Sequence, residues 1–218
     1  MKNPGMSADR LALNFAGGTV KTVPFQHWLL SPVFTDELAL ALSALPLSAP
    51  NIDNTLGRRE THNSLRTFFG AEQQSVYPAC RSVAELFQSH KAVETITRLS
   101  GAQLGGSSLR IEYCMDGDGF WLEPHTDIGA KRITLLVYLS QGPECESWGT
   151  DLLNGEHALV ERVPCRFNTG LLFVPGADTW HSFERRPING IRRTIIINYV
   201  GPEWRAKHEL AYPEQPVS

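Results

Sequence analysis

The residues best placed to do chemistry lie in the second half of the chain. His125 and Asp127 are separated by one residue, and His181 follows after a gap of about fifty. Side chains two apart on a strand share a face, so a strand through His125-Thr126-Asp127 projects the imidazole and the carboxylate to the same side. Alone, such a triplet carries little weight in a chain with seven histidines. The turn from Val174 to Trp180, Val-Pro-Gly-Ala-Asp-Thr-Trp, adds support because it returns the chain beside an earlier strand and delivers His181 there. Two imidazoles and one carboxylate form the facial set that holds Fe(II) and leaves other coordination positions open.

Arg192 follows His181 and opens the run Arg192-Arg-Thr-Ile-Ile-Ile-Asn-Tyr-Val200. A cation at the head of an otherwise apolar strand is costly unless an anion meets it. The planar guanidinium fork suits a carboxylate held through two parallel bonds, and a ligand is the expected source of that carboxylate. A period of two turns Arg192, Thr194, Ile196 and Asn198 to one face, and Arg193, Ile195, Ile197 and Tyr199 to the other. This favours Arg192 over Arg193 as the arginine of a site.

Something must hold these residues together, and the patterning indicates an α+β fold. The first half reads as helical. A helix is expected from Ser31-Pro32 to about Leu45, and another from Val83 to Leu99, interrupted near His90 and stopped by Gly101. Asn54 to Phe69 has no strong period and is expected to close over the site as a lid. From Leu109 the pattern changes to short β-branched and aromatic runs between Gly, Pro, Asp and Asn: Leu109–Cys114, Glu123–Asp127, Arg132–Leu139, Asp151–Leu153, Leu171–Val174, His181–Phe183 and Arg192–Val200. Short strands at this spacing predict a jelly roll with the N-terminal helices packed on it. The expected organisation is a helical region with covering loops over 1–108, a catalytic core over 109–201 and a tail over 202–218, all in one domain.

Composition narrows the function classes. With 218 residues, 42% hydrophobic and 20% charged, the chain is globular. Twenty Lys and Arg against 23 Asp and Glu give a net charge of -3, which provides no basic field for nucleic acid. No apolar run is long enough to span a membrane and no signal-peptide layout opens the chain, so a cytoplasmic location and no membrane partner are expected. Cys80, Cys114, Cys145 and Cys165 form no C-x-x-C pair and read as reduced thiols.

The combined pattern, H-x-D, a distal His and then R-x-T, resembles the Fe(II)/2-oxoglutarate-dependent oxygenases, over roughly Leu109 to Val200. It is most similar to the prolyl-hydroxylase-like branch, in which tyrosine-bearing strands flank the H-x-D, as Arg110-Ile-Glu-Tyr113 and Thr134-Leu-Leu-Val-Tyr138 do here. Trp148-Gly-Thr-Asp-Leu152 departs from the family's Gly-Gly-x-Leu corner. The resemblance implies a double-stranded β-helix core and a hydroxylase that consumes O2 and 2-oxoglutarate and releases succinate and CO2. His125, Asp127 and His181 would hold Fe(II). Arg192, Thr194, Tyr138 and Tyr113 would bind the co-substrate, and Phe183 would face the same cavity. Asn198, Arg132 and Trp121 are expected to contact the substrate. An amide, a guanidinium and an indole suit a polar small molecule such as an amino acid or sugar derivative. The alternatives are a prolyl or other peptide hydroxylase and a non-catalytic sensor of metal and 2-oxoglutarate. A nucleic-acid demethylase is disfavoured by Thr194, Ile196 and Asn198 after Arg192, and a halogenase by Asp127. The sequence leaves the oligomeric state open.

Overall fold

The computed structural model describes residues 5–50, 56–58 and 66–218. Two antiparallel sheets face each other, as expected for a jelly roll. The larger has the order β1-β2-β9-β6-β11-β4-β3 and the smaller β5-β10-β7-β8. The large-sheet strands are β1 (Thr19–Lys21), β2 (His27–Leu30), β3 (Thr67–Phe68), β4 (Ser108–Asp116), β6 (Lys131–Tyr138), β9 (Thr169–Phe173) and β11 (Arg192–Val200). The small sheet holds β5 (Leu122–His125), β7 (Asp151–Leu153), β8 (Leu159–Arg162) and β10 (His181–Phe183).

Alternation along the central strands builds two cores. On one face of the large sheet Ile111 and Tyr113 of β4, Ile133, Leu135 and Val137 of β6, and Ile195, Ile197 and Tyr199 of β11 pack against helices. On the opposite face Leu136, Tyr138, Leu171 and Phe173 meet Leu152, Phe183, Trp148 and Val163 across the gap between the sheets. Each fully buried branched or aromatic side chain contributes about 1.5–3 kcal/mol.

The helices are α1 (Ala8–Ala16), α2 (Asp36–Ser43), α3 (Ala71–Val76), α4 (Pro78–Gln88) and α5 (His90–Ser100). The interruption expected near His90 is present: α4 ends, Ser89 caps α5 by accepting from Ala92 N, and Gly101 ends α5 at a φ of 76°.

Three expectations are corrected. The helix read from Ser31-Pro32 begins at Asp36, because Thr35 supplies the cap and Val33 and Phe34 are drawn into the core before the first turn. The first half is not purely helical, since β1 and β2 extend the large sheet through pairing of β2 with β9. Helix α1 was not anticipated, although Ser7 caps it by accepting from Arg10 N. Most of the lid expected at Asn54 to Phe69 lies outside the described residues. Of its described parts, Gly57 accepts from Glu123 N (2.9 Å), and β3 pairs with β4.

Residues 202–218 do not hang free. Ala211 N donates to Leu109 O and Val217 N to Ser107 O, laying the segment along β4. None of the four cysteines is in a disulfide, and all are buried. Among the described residues no helix is long and apolar enough to cross a membrane.

Candidate active site

The strand register sets the centre of the site. His181 at the start of β10 stands opposite His125 at the end of β5, and the chain leaves β5 with Asp127 on the same side. The ligand atoms of His125, Asp127 and His181 all lie within 4.8 Å of one another. Each histidine is oriented by the carbonyl two residues before it: His125 Nδ1–H donates to Glu123 O (2.7 Å) and His181 Nδ1–H to Thr179 O (3.0 Å). A carbonyl only accepts, so both rings carry their proton on Nδ1 and present an Nε2 lone pair.

Electrostatics keeps the set ready to bind a cation. Burial pushes His181 down to about 4, with His125 adding to the shift and Asp127 opposing it, so its ring is neutral near pH 7. Burial would raise the carboxyl of Asp127. The charge of Lys131, with hydrogen bonds from Lys131 and Thr134, outweighs that and holds it well below the usual carboxylate range. Lys131 Nζ lies 2.5 Å from Oδ1, and Thr134 Oγ1 donates to Oδ2 at 2.5 Å. Two imidazoles and one ionised carboxylate fit a divalent first-row metal, Fe(II) among them.

The set opens onto a cleft of about 420 Å³. Arg192, Thr150, Leu136, Ile196 and Phe183 line its inner part, and Arg66, Arg110, Glu112, Glu209 and Trp204 its outer wall. Arg192 is buried on the predicted face of β11. Contrary to expectation, it is not waiting for both arms of a ligand carboxylate. Nε donates to Trp148 O (2.6 Å) and Nη1 to Asp116 Oδ2 (2.6 Å), because register places Asp116 of β4 directly opposite. The anion required by a buried arginine is supplied by the fold, leaving Nη2 for a ligand. Beside it, Tyr138 OH donates to Thr150 Oγ1 (2.8 Å), and burial pushes the phenol up to about 12, so it stays protonated. Thr194 Oγ1 is fully buried and has no hydrogen-bond partner.

The other expected contacts fare differently. Tyr113 does not reach the cleft: it belongs to the odd-numbered face of β4, stacks with Phe69 and donates its hydroxyl to Leu42 O (2.9 Å). Asn198 points to the correct side, but Arg110, Thr134 Oγ1 and Ile133 O occupy its amide, and it forms no part of the cleft lining. Arg132 lies near the start of β6, where the pairing with β11 shifts register, bonded to Glu203 (2.9 Å), and borders a separate surface depression. Trp121 packs close to Gly57, with Arg185 over its ring, and also stays outside the lining.

The outer wall was missed altogether. Glu112 receives Arg66 through two bonds (2.9 and 3.0 Å) and Arg110 through a third (2.7 Å), while Glu209 accepts from Arg110 Nε (2.6 Å). Arg110 lies between Phe68 (4.9 Å) and Trp204 (5.1 Å), a cation–π sandwich. The alternation Leu-Arg-Ile-Glu-Tyr-Cys-Met-Asp from Leu109 to Asp116 held the signal, since it places Arg110, Glu112 and Asp116 on one face.

No family model matches the sequence, and none of the curated proteins does. Solved structures do match. A prolyl 4-hydroxylase from Phytophthora capsici aligns with a TM-score of 0.60 at 16% identity, covering 93% of this chain and 70% of that one. A Pseudomonas putida prolyl-4-hydroxylase aligns at 0.55 and 13%, covering 93% and 97%. SnoN, a non-heme alpha-ketoglutarate-dependent epimerase of nogalamycin biosynthesis, aligns at 0.52 and 16%, covering 89% and 82%. At these identities the likeness is one of fold, and the chain has the jelly-roll fold shared by prolyl 4-hydroxylases and an alpha-ketoglutarate-dependent epimerase.

Proposed function

We propose that the protein is an Fe(II)- and 2-oxoglutarate-dependent dioxygenase that hydroxylates a C–H bond of a polar small molecule, with O2 consumed and succinate and CO2 released. The observation that carries this reading is the convergence of His125, Asp127 and His181 within 4.8 Å on a cleft that also contains Arg192. The structural neighbours support it: one of them, SnoN, is described in complex with Fe3+ and alpha ketoglutarate, at a TM-score of 0.50. The buried Thr194 hydroxyl without a partner, next to Arg192 on β11, is the kind of group a bound carboxylate would satisfy.

In this reading His125, Asp127 and His181 hold the metal, and Arg192 Nη2 with the Tyr138 hydroxyl orients the distal carboxylate of 2-oxoglutarate. The iron and co-substrate supply the oxidising chemistry. The protein binds, orients and excludes water. Leu136, Ile196 and Phe183 provide apolar walls around the reacting centre, and no side chain needs to move a proton during C–H cleavage. The outer wall carries its own compensated charges, which suits a polar substrate recognised by shape and hydrogen bonding.

A prolyl peptide is the second reading, favoured by the prolyl hydroxylase neighbours, one of which is described with a hypoxia inducible factor peptide fragment. The test is a screen of polar metabolites and proline-containing peptides for stimulated succinate release in the presence of Fe(II), 2-oxoglutarate and O2. A metabolite hit abolished by Arg192→Ala and unaffected by Arg193→Ala is the expected result. A peptide hit replaces the substrate class. Absence of Fe(II) and 2-oxoglutarate binding overturns the reading.

A further inference from the structure

We propose that Asp116 is a positioning residue that acts through Arg192 to weaken the hold on the distal carboxylate of the 2-oxo acid, and so limits selectivity for a charged over an uncharged distal group. The inference rests on the co-substrate reading above.

Asp116 is fully buried at the end of β4, directly opposite Arg192 in register. A guanidinium offers five N–H groups on three nitrogens. Here Trp148 O takes Nε and Asp116 takes Nη1, each at 2.6 Å, so two of the three nitrogens are committed to the protein. The Phe183 ring lies 4.9 Å from the guanidinium carbon and covers part of it. Arg186, the next cation, is 4.1 Å from the same ring and is itself paired with Asp151. Arg192 is therefore already paired with Asp116 before a ligand arrives, while Asp151 is shared between Arg186 and Arg162. An incoming carboxylate meets the attraction of Arg192 together with the repulsion of an equally buried Asp116. Neither charge is well screened there. What remains to hold the ligand is one edge of the arginine and the neutral hydroxyl of Thr150, which lines the cleft and is backed by the Tyr138 hydroxyl that donates to it.

This arrangement separates charge from shape. Asp116→Asn keeps an oxygen acceptor for Nη1 and removes the negative charge. 2-Oxoglutarate then binds more tightly, by about tenfold or more, because a buried opposing charge has gone. 2-Oxopentanoate, which carries a methyl group in place of the distal carboxylate, feels no such change. A merely structural Asp116 would affect both acids alike.

The experiment is anaerobic calorimetric titration of both acids into the Fe(II)-loaded wild type and Asp116→Asn, with Asp116→Ser as a second charge-removing variant and melting curves to confirm folding. Tighter binding of 2-oxoglutarate alone is expected in each folded variant. Unchanged or weaker 2-oxoglutarate binding, an equal gain for both acids, or failure of both variants to fold overturns the proposal and leaves the oxygenase reading standing. If the wild type binds neither acid, the oxygenase reading falls and this inference falls with it.

Discussion

His125 and His181 face each other across two antiparallel strands, with ring centroids 4.3 Å apart, and each is steered by the carbonyl two residues before it in the chain. The placement of these two candidate ligands is thus a property of strand ends held by pairing, with Asp127 following just past the end of β5.

Replacing any one of His125, Asp127 or His181 by Ala leaves two ligands, and anaerobic Fe(II) titration is expected to show affinity reduced by about 100-fold or more, with the fold intact. Thr134→Val removes the hydrogen bond that fixes Asp127 Oδ2, together with the one Thr134 Oγ1 accepts from Asn198, and is expected to cost about tenfold. Equal Fe(II) affinity in wild type and Asp127→Ala would sink the assignment.

The two tyrosines expected in the site should separate cleanly. Tyr113→Phe loses a buried bond to Leu42 O and is expected to cost about 1 kcal/mol in urea unfolding, without altering 2-oxoglutarate binding. Tyr138→Phe removes a hydroxyl beside Arg192 and is expected to weaken 2-oxoglutarate binding several-fold. The opposite pattern would place the wrong tyrosine at the co-substrate.

Gly149 lies in the corner that supplies Trp148 O to Arg192. A Cβ there would stand 1.5 Å from Val163 O, a backbone atom that has nowhere to go. Gly149→Ala is expected to destabilise the fold by about 3 kcal/mol or more in urea unfolding, and to weaken 2-oxoglutarate binding by displacing the acceptor of Arg192 Nε. A variant as stable as wild type would show that the corner relaxes freely.

Much of the site was legible because its signals are strictly periodic. The alternation from Arg192 follows from a strand period of two, which the large sheet realises over the whole of β11, whereas the strand expected through His125-Thr126-Asp127 ends at His125 and Asp127 lies just past it. The errors arose where parity was not applied or where it was not enough. Tyr113 is implied by the family resemblance alone, while its neighbours Arg110 and Glu112 mark the other face. Asn198 and Arg132 have the parity of the cleft face, but one is consumed by an internal network and the other sits at a register shift near the start of β6 and is held by Glu203, neither of which a local pattern reveals. Strands as short as β1 and β2 carry too few residues for alternation to register, and their place in the sheet is set by pairing with distant β9.

The outer wall of the cleft has a consequence for how the protein matures. Arg66 and Glu209, which meet there, are 143 positions apart, and Arg110 and Glu209 are 99 apart. Contacts at such separations require long loops to close first, which makes them slow to form. Until residues 202–218 dock along β4, the wall lacks Trp204 and Glu209, and Arg110 lacks the carboxylate that its Nε meets. Docking of this segment is thus the late step that completes the outer wall of the cleft.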